Sequence, residues 1–85
     1  MSVEDVEELG PIIEDALKPV YGGNVRNIEI LRANQIPFLD QKKESWRATV
    51  EFDDSKTKYQ VSIDIRISDG SIKRTEEIVR EPIVR

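Results

Sequence analysis

Apolar and polar residues alternate strictly along KYQVSIDIRIS, residues 58–68, and this pattern limits the fold more than any other in the chain. Side chains of a β-strand point in turn to opposite faces of the sheet, so a period of two predicts a strand with one buried face. A second alternating run, SWRATVEF, occupies residues 45–52 and predicts the neighbouring strand.

The two runs predict an antiparallel hairpin with a defined register. Apolar side chains must face apolar side chains across the pair, which places Phe52 opposite Tyr59 and residues 55–56 at the tip. The same register puts Arg47 opposite Asp64 on the other face, where opposite charges stabilise the pairing. One register therefore satisfies both faces.

An apolar stripe near the N-terminus predicts an amphipathic helix. It recurs at steps of three and four residues, at Val6, Leu9, Ile13, Ala16, Leu17 and Val20. The stripe runs past Pro11, so we expect a kinked helix, or two short coaxial pieces, over residues 3–18. Pro19 and the glycine pair 22–23 indicate its end.

The remaining patterns complete an α+β domain. Residues 25–32 predict a strand whose neighbour is left open, and Asp69 and Gly70 suit a two-residue hairpin turn before a final strand over residues 71–80. At 85 residues the chain has room for one domain. The predicted fold is an N-terminal helix packed on one face of an antiparallel sheet of about four strands, mainly a meander.

The last strand contains a local conflict. If Ile67 lies opposite Ile72, then Arg74 and Glu76 fall on the apolar face of the sheet. We favour a short helix that leaves this edge strand exposed, where inward charges oppose aggregation. In the alternative reading, Arg74 and Glu76 form the polar rim of a small ligand site.

The connection ANQIPFLDQKKE, residues 33–44, is long for so small a domain. Its apolar residues Ile36, Phe38 and Leu39 are candidates for a contact with a protein partner or with another copy of the chain. Equally, Phe38 and Leu39 could tuck beneath the loop and close one end of the core.

Composition excludes several classes of function. The chain has no cysteine and no histidine, which removes thiolate chemistry, the usual zinc ligands and the commonest general base. With 13 Lys and Arg against 17 Asp and Glu, its net charge of -4 makes nucleic acid an unfavourable partner. Neither a membrane span nor a secretory signal is predicted, so we expect a cytoplasmic protein. We also expect no cofactor. The excess of isoleucine over leucine and the many charges are compatible with a thermophilic source and also with ordinary genomic composition.

These observations predict a non-catalytic protein-interaction or assembly module. The alternative is a small-ligand module that uses Arg74 and Glu76, or a cation-binding module that uses Asp53 and Asp54. Because no carboxylate pair is placed by a motif, we expect no enzymatic activity.

Overall fold

The computed structural model describes residues 2–36 and 42–83, which form one helix packed on a four-stranded antiparallel sheet. The sheet order is β1-β2-β3-β4, a simple meander, and this confirms the predicted α+β fold. The elements are a 3₁₀ turn (Val6–Glu8), α1 (Leu9–Tyr21), β1 (Arg26–Ile36), β2 (Ser45–Asp53), β3 (Thr57–Arg66) and β4 (Ile72–Pro82).

Pro11 lies in the first turn of α1, and the N-terminal helix consists of two pieces. Asp5 caps the 3₁₀ turn by accepting a hydrogen bond from the Glu7 amide at 3.3 Å. Because α1 begins at Leu9, Pro11 is its third residue. The first four amides of an α-helix have no acceptor within the helix, so the missing N–H of Pro11 costs no hydrogen bond.

The helix ends later than its sequence predicts. It continues through Pro19 to Tyr21 and stops at Gly22, whose φ of 91° suits glycine and whose amide bonds the Lys18 carbonyl at 2.8 Å. The added residues carry the Tyr21 ring onto the sheet, where its centroid lies 4.9 Å from that of Phe52. This packing offsets the preference of Pro19 against a helical residue before it.

The core lies between α1 and the two central strands. Leu9, Ile13 and Leu17 are buried against the alternating apolar residues of β2 and β3. Val6 and Val20, the two ends of the predicted stripe, are 41% and 70% exposed. The buried stripe is therefore shorter than the sequence pattern, and at its C-terminal end Tyr21 contacts the sheet in place of Val20.

The segment before the helix is tied to the end of the sheet. Val3, where the sequence predicts a helix start, is not helical and is buried. Its amide donates to the Ile67 carbonyl at 2.6 Å, and its carbonyl accepts a hydrogen bond from the Trp46 indole at 2.9 Å. Val3 thus joins β2 to the turn after β3.

The β2–β3 hairpin has the predicted register. Phe52 lies opposite Tyr59, and Arg47 lies opposite Asp64. The guanidinium of Arg47 donates two hydrogen bonds to the Asp64 carboxylate, at 3.0 and 3.1 Å. The bidentate geometry holds the outer face of the pair.

Strand β1 is longer than predicted and pairs with β2. It extends to Ile36, so residues 33–36 belong to the sheet and not to the long loop. Its pairing is interrupted twice, once near Asn27, which has a φ of 55° and donates a side-chain hydrogen bond to Asp53 at 2.8 Å. β1 therefore occupies one edge of the sheet and β4 the other.

The predicted two-residue turn at Asp69 and Gly70 is wrong. The loop spans residues 67–70, because the Arg66 amide bonds the Ser71 carbonyl at 2.8 Å, and only Gly70 has a positive φ, of 75°. The cause is non-local. The Ile67 amide donates a hydrogen bond to the Glu44 carbonyl, and the Ile67 carbonyl accepts one from the Val3 amide, so Ile67 cannot pair with β4. Ile72 lies opposite Ile65 instead.

The predicted positions of Arg74 and Glu76 on the apolar face are also wrong. β4 contains two bulges, at Lys73 and Ile78, and each inserts one residue that has no partner in β3. Arg74 consequently lies opposite Asp64 on the outer face, and Glu76 lies beside it. The β4 residues paired with the buried positions of β3 are Ile72, Thr75, Glu77 and Arg80.

The core assignment predicts a large difference between two truncations on the same helix. Ile13→Ala removes a fully buried side chain and should lower the free energy of unfolding by about 2–5 kcal/mol. Val20→Ala removes a side chain that is mostly exposed and should change it by about 0.5 kcal/mol or less. Urea denaturation measures both values, and comparable losses would contradict the described helix face.

Candidate interaction surface

The surface that the fold leaves most open is the edge formed by β4. In the described part of the chain, β4 pairs with β3 on one side and with no strand on the other. Every residue of this strand is exposed except Val79, which is half-buried. The open edge is 11 residues long.

The ladder register shows which backbone groups of β4 face outward. Hydrogen-bonded and non-hydrogen-bonded pairs alternate in an antiparallel ladder. The amide of Arg66 bonds Ser71 at one end of the ladder, and the amide of Ile83 bonds Lys56 at the other. Between these two ends, with the bulges included, the alternation places Arg74, Glu76 and Val79 in the pairs that are hydrogen-bonded to β3. The N–H and C=O groups of Thr75 and Glu77, between them, point to the open edge.

Polar contacts fasten β4 on the helix side. The Glu77 carboxylate accepts hydrogen bonds from the Tyr21 hydroxyl at 3.2 Å and from Arg80 at 3.0 Å. The Arg80 guanidinium lies 5.3 Å from the centre of the Tyr59 ring. Burial, with the nearby Glu77 charge, raises the pKa of Tyr21, and the hydrogen bond to Glu77 raises the pKa of Arg80. These contacts hold the strand where the helix does not cover it.

On the outer face the structure brings the two predicted ligand residues together. Arg74 and Glu76 form an ion pair at 2.8 Å beside the Arg47–Asp64 pair. These four side chains and Ser62 line a cleft of about 140 Å³. Ligand pockets measure roughly 300–1,000 Å³, so this cleft is small for an organic ligand.

The loop candidates are only partly described. Ile36 is the last residue of β1, is half-buried, and accepts a backbone hydrogen bond from Glu44 at 2.9 Å. Phe38 and Leu39 lie outside the described residues. Their role in a contact stays a prediction.

A basic cleft of about 540 Å³ lies at the end of the sheet near Ser68, and sequence reasoning missed it. Its charged lining residues are Lys42, Lys43, Glu44, Arg66 and Lys73. Lys73 donates to the Ser45 hydroxyl at 3.2 Å, and Arg66 lies 3.9 Å from Asp69. The cations come from three separate segments, and only the positions of Lys42 and Lys43 in sequence hinted at a cluster. Such a cleft attracts anions.

The acidic turn proposed for a cation has structural partners. The Asp54 carboxylate accepts hydrogen bonds from the Lys56 amide, the Thr57 amide and the Tyr59 hydroxyl, at 2.7–3.1 Å. Asp53 accepts one from Asn27. Within residues 2–36 and 42–83, no cluster of three or more carboxylates is placed to hold a metal ion.

Comparisons with known proteins add no name to this geometry. No protein-family model, curated protein or solved structure matches the chain. Among the described residues, no helix has the length and apolar character needed to cross a membrane.

The turn at Asp54 predicts a specific acid sensitivity. Hydrogen bonds from the Lys56 and Thr57 amides lower the pKa of Asp54 below its ordinary value of 3.8. A lowered carboxyl pKa stabilises the fold fully above that value, and the contribution is lost as the pH falls through the folded-state pKa.

Asp54→Asn removes this titration while it keeps an acceptor oxygen. As the pH is lowered from about 7 to about 2.5, the free energy of unfolding of the variant should therefore fall less than that of the unaltered protein. Urea denaturation across this range measures the difference. Parallel curves for the two proteins would show that Asp54 contributes nothing to the pH dependence.

Proposed function

We propose that this protein is a non-catalytic interaction module that binds an extended peptide segment along β4. In this mode of recognition, a strand from the partner adds to the open edge of a sheet and bonds its backbone. The observation that carries the proposal is the exposed edge of Ile72–Pro82, with the backbone groups of Thr75 and Glu77 directed outward.

The opposite edge fits this role less well. Ala33, Gln35 and Ile36 of β1 are half-buried, whereas β4 is exposed at nearly every position. β4 also contributes Ile72 and Ile78, which are 39% and 52% exposed, and apolar side chains add affinity to backbone pairing. These features favour β4 as the binding edge.

The charged groups around β4 support binding over catalysis. Asp64, Glu76 and Glu77 each lie in an ion pair with an arginine. The sequence supplies no histidine or cysteine to work beside them. The absence of enzymatic activity and the cytoplasmic location stay predictions from the sequence, as does a second contact through Ile36, Phe38 and Leu39.

A proline at Thr75 tests the edge directly. Thr75→Pro removes an outward N–H and leaves the bonds to β3 in place, as proline at an edge strand permits. We expect the tagged protein to capture a specific companion from its native extract. Thr75→Pro should lower the amount of captured companion at least about tenfold. Thr75→Val keeps the amide and the branched side chain, so it should capture the companion normally.

Phe38→Ser separates the edge from the loop. The edge proposal expects this variant to behave like the unaltered protein. A companion lost with Phe38→Ser but kept with Thr75→Pro would move the binding surface to residues 36–39. If circular dichroism shows the proteins folded, but neither the unaltered protein nor Thr75→Val captures a companion, the interaction proposal fails.

A further inference from the structure

The sequence of β4 is complementary to its own reverse. In IKRTEEI, residues 72–78, the pattern of apolar, basic, polar and acidic residues is symmetric about Thr75 with the charges exchanged. Read in opposite directions, Arg74 of one strand meets Glu76 of the other on both sides of Thr75. Opposite charges directly across an antiparallel pair are favourable, and like charges are unfavourable.

We infer that the segment bound along β4 is the β4 strand of a second copy of this chain. The two strands run antiparallel about a two-fold axis at Thr75, so that the two sheets join into one of eight strands. This inference rests on the proposed edge function and adds the identity of the partner. Such an interface is self-complementary, as a two-fold dimer requires.

The orientation of the backbone agrees with this axis. A two-fold axis at Thr75 makes the two copies of that residue a hydrogen-bonded pair, which requires its N–H and C=O to point away from β3. The ladder register places them in that direction. Residues opposite each other in a sheet point to the same face, so Arg74 and Glu76 of the second copy meet on the outer face.

The parallel alignment in register and the two neighbouring antiparallel alignments of these strands are unfavourable. In a parallel pair in register, Arg74 faces Arg74 and Glu76 faces Glu76. An antiparallel shift of two residues in either direction also brings one of these like-charged pairs together. The charge pattern therefore favours the alignment about Thr75 over these three. The two bulges at Lys73 and Ile78 confine regular pairing to the residues between them.

The side chains of Arg74 and Glu76 can change partner from their own chain to the second copy. Arg74 and Glu76 are paired within one chain, but their side chains are 63% and 58% exposed, so each can turn to the second copy. Ile72 and Ile78 are two of the large apolar residues that the described structure leaves exposed. They flank the regular stretch 74–77 at its two ends.

Charge reversal tests the pairing between copies. Arg74→Glu places acids opposite acids, and Glu76→Arg places bases opposite bases, so each variant alone should raise the dimer dissociation constant at least about tenfold. An equimolar mixture of the two variants restores opposite charges across the edge and should form a mixed dimer. Light scattering with differently tagged chains measures both results.

Two matched variants make the result specific. The double variant R74E/E76R keeps opposite charges between the chains and within the 74–76 pair, so it should dimerise like the unaltered protein. Circular dichroism checks that it stays folded, because Glu at position 74 then lies opposite Asp64 of the same chain. Arg32→Glu reverses a charge on β1, at the opposite edge, and should leave dimerisation unchanged. If a single variant fails to fold, the double variant still decides the question.

A crosslink tests the position of the axis. The chain has no cysteine, so Thr75→Cys introduces a single thiol. In the dimer the two copies of this residue have Cα atoms about 5.5 Å apart, within disulfide reach. Val79→Cys is the control, because its two copies lie roughly 25 Å apart. Under mild oxidation, Thr75→Cys should give a crosslinked dimer and Val79→Cys should not.

The outcomes separate this inference from the proposal on which it rests. A purified protein that stays monomeric near millimolar concentration, or a mixture of Arg74→Glu and Glu76→Arg that forms no mixed dimer, overturns the self-pairing. The edge function stands in that case if a different companion is captured and is lost with Thr75→Pro. If no companion is captured either, both fail.

Discussion

The width of one helix decides the shape of this domain. An α-helix with its side chains is about 10 Å across and adjacent strands are about 4.8 Å apart, so a single helix covers two strands fully. α1 lays Leu9, Ile13 and Leu17 on β2 and β3, and the fully buried residues of the sheet belong to those two strands. Both outer strands therefore remain largely outside the core. The exposed surfaces of β1 and β4 follow from this limited cover by the helix.

The strand least covered is held by polar contacts in place of apolar packing. On the helix side of β4, Glu77 accepts from Tyr21 and Arg80, and Arg80 lies over the Tyr59 ring. Charged residues on that side would be costly beneath a helix but are inexpensive where water reaches them. The backbone ladder to β3, together with these contacts, fixes the outward backbone groups of β4 in position. A rigid edge loses less entropy on binding than a mobile one.

Sequence patterns predicted what depends on local alternation and missed what depends on distant bonds. The β2–β3 register, from Phe52 opposite Tyr59 onward, was predictable because buried and exposed residues alternate without interruption in both strands. The positions of Arg74 and Glu76 were not predictable, because the bulge at Lys73 reverses the faces of the residues after it and leaves no sign in the residue types. The turn was misjudged because Ile67 bonds to Glu44 and Val3, which are far away in sequence.

Bulges and charges on an edge strand commonly protect a sheet from unwanted pairing, and β4 has both. Here their arrangement restricts pairing without abolishing it. The bulges leave Arg74, Thr75, Glu76 and Glu77 as the regular stretch, too short to pair stably with an arbitrary strand. Charges within that stretch favour the antiparallel alignment about Thr75 over the two neighbouring antiparallel alignments and over the parallel alignment in register. In the proposed dimer, features that discourage aggregation therefore also select a single partner, and the small contact area keeps the association reversible.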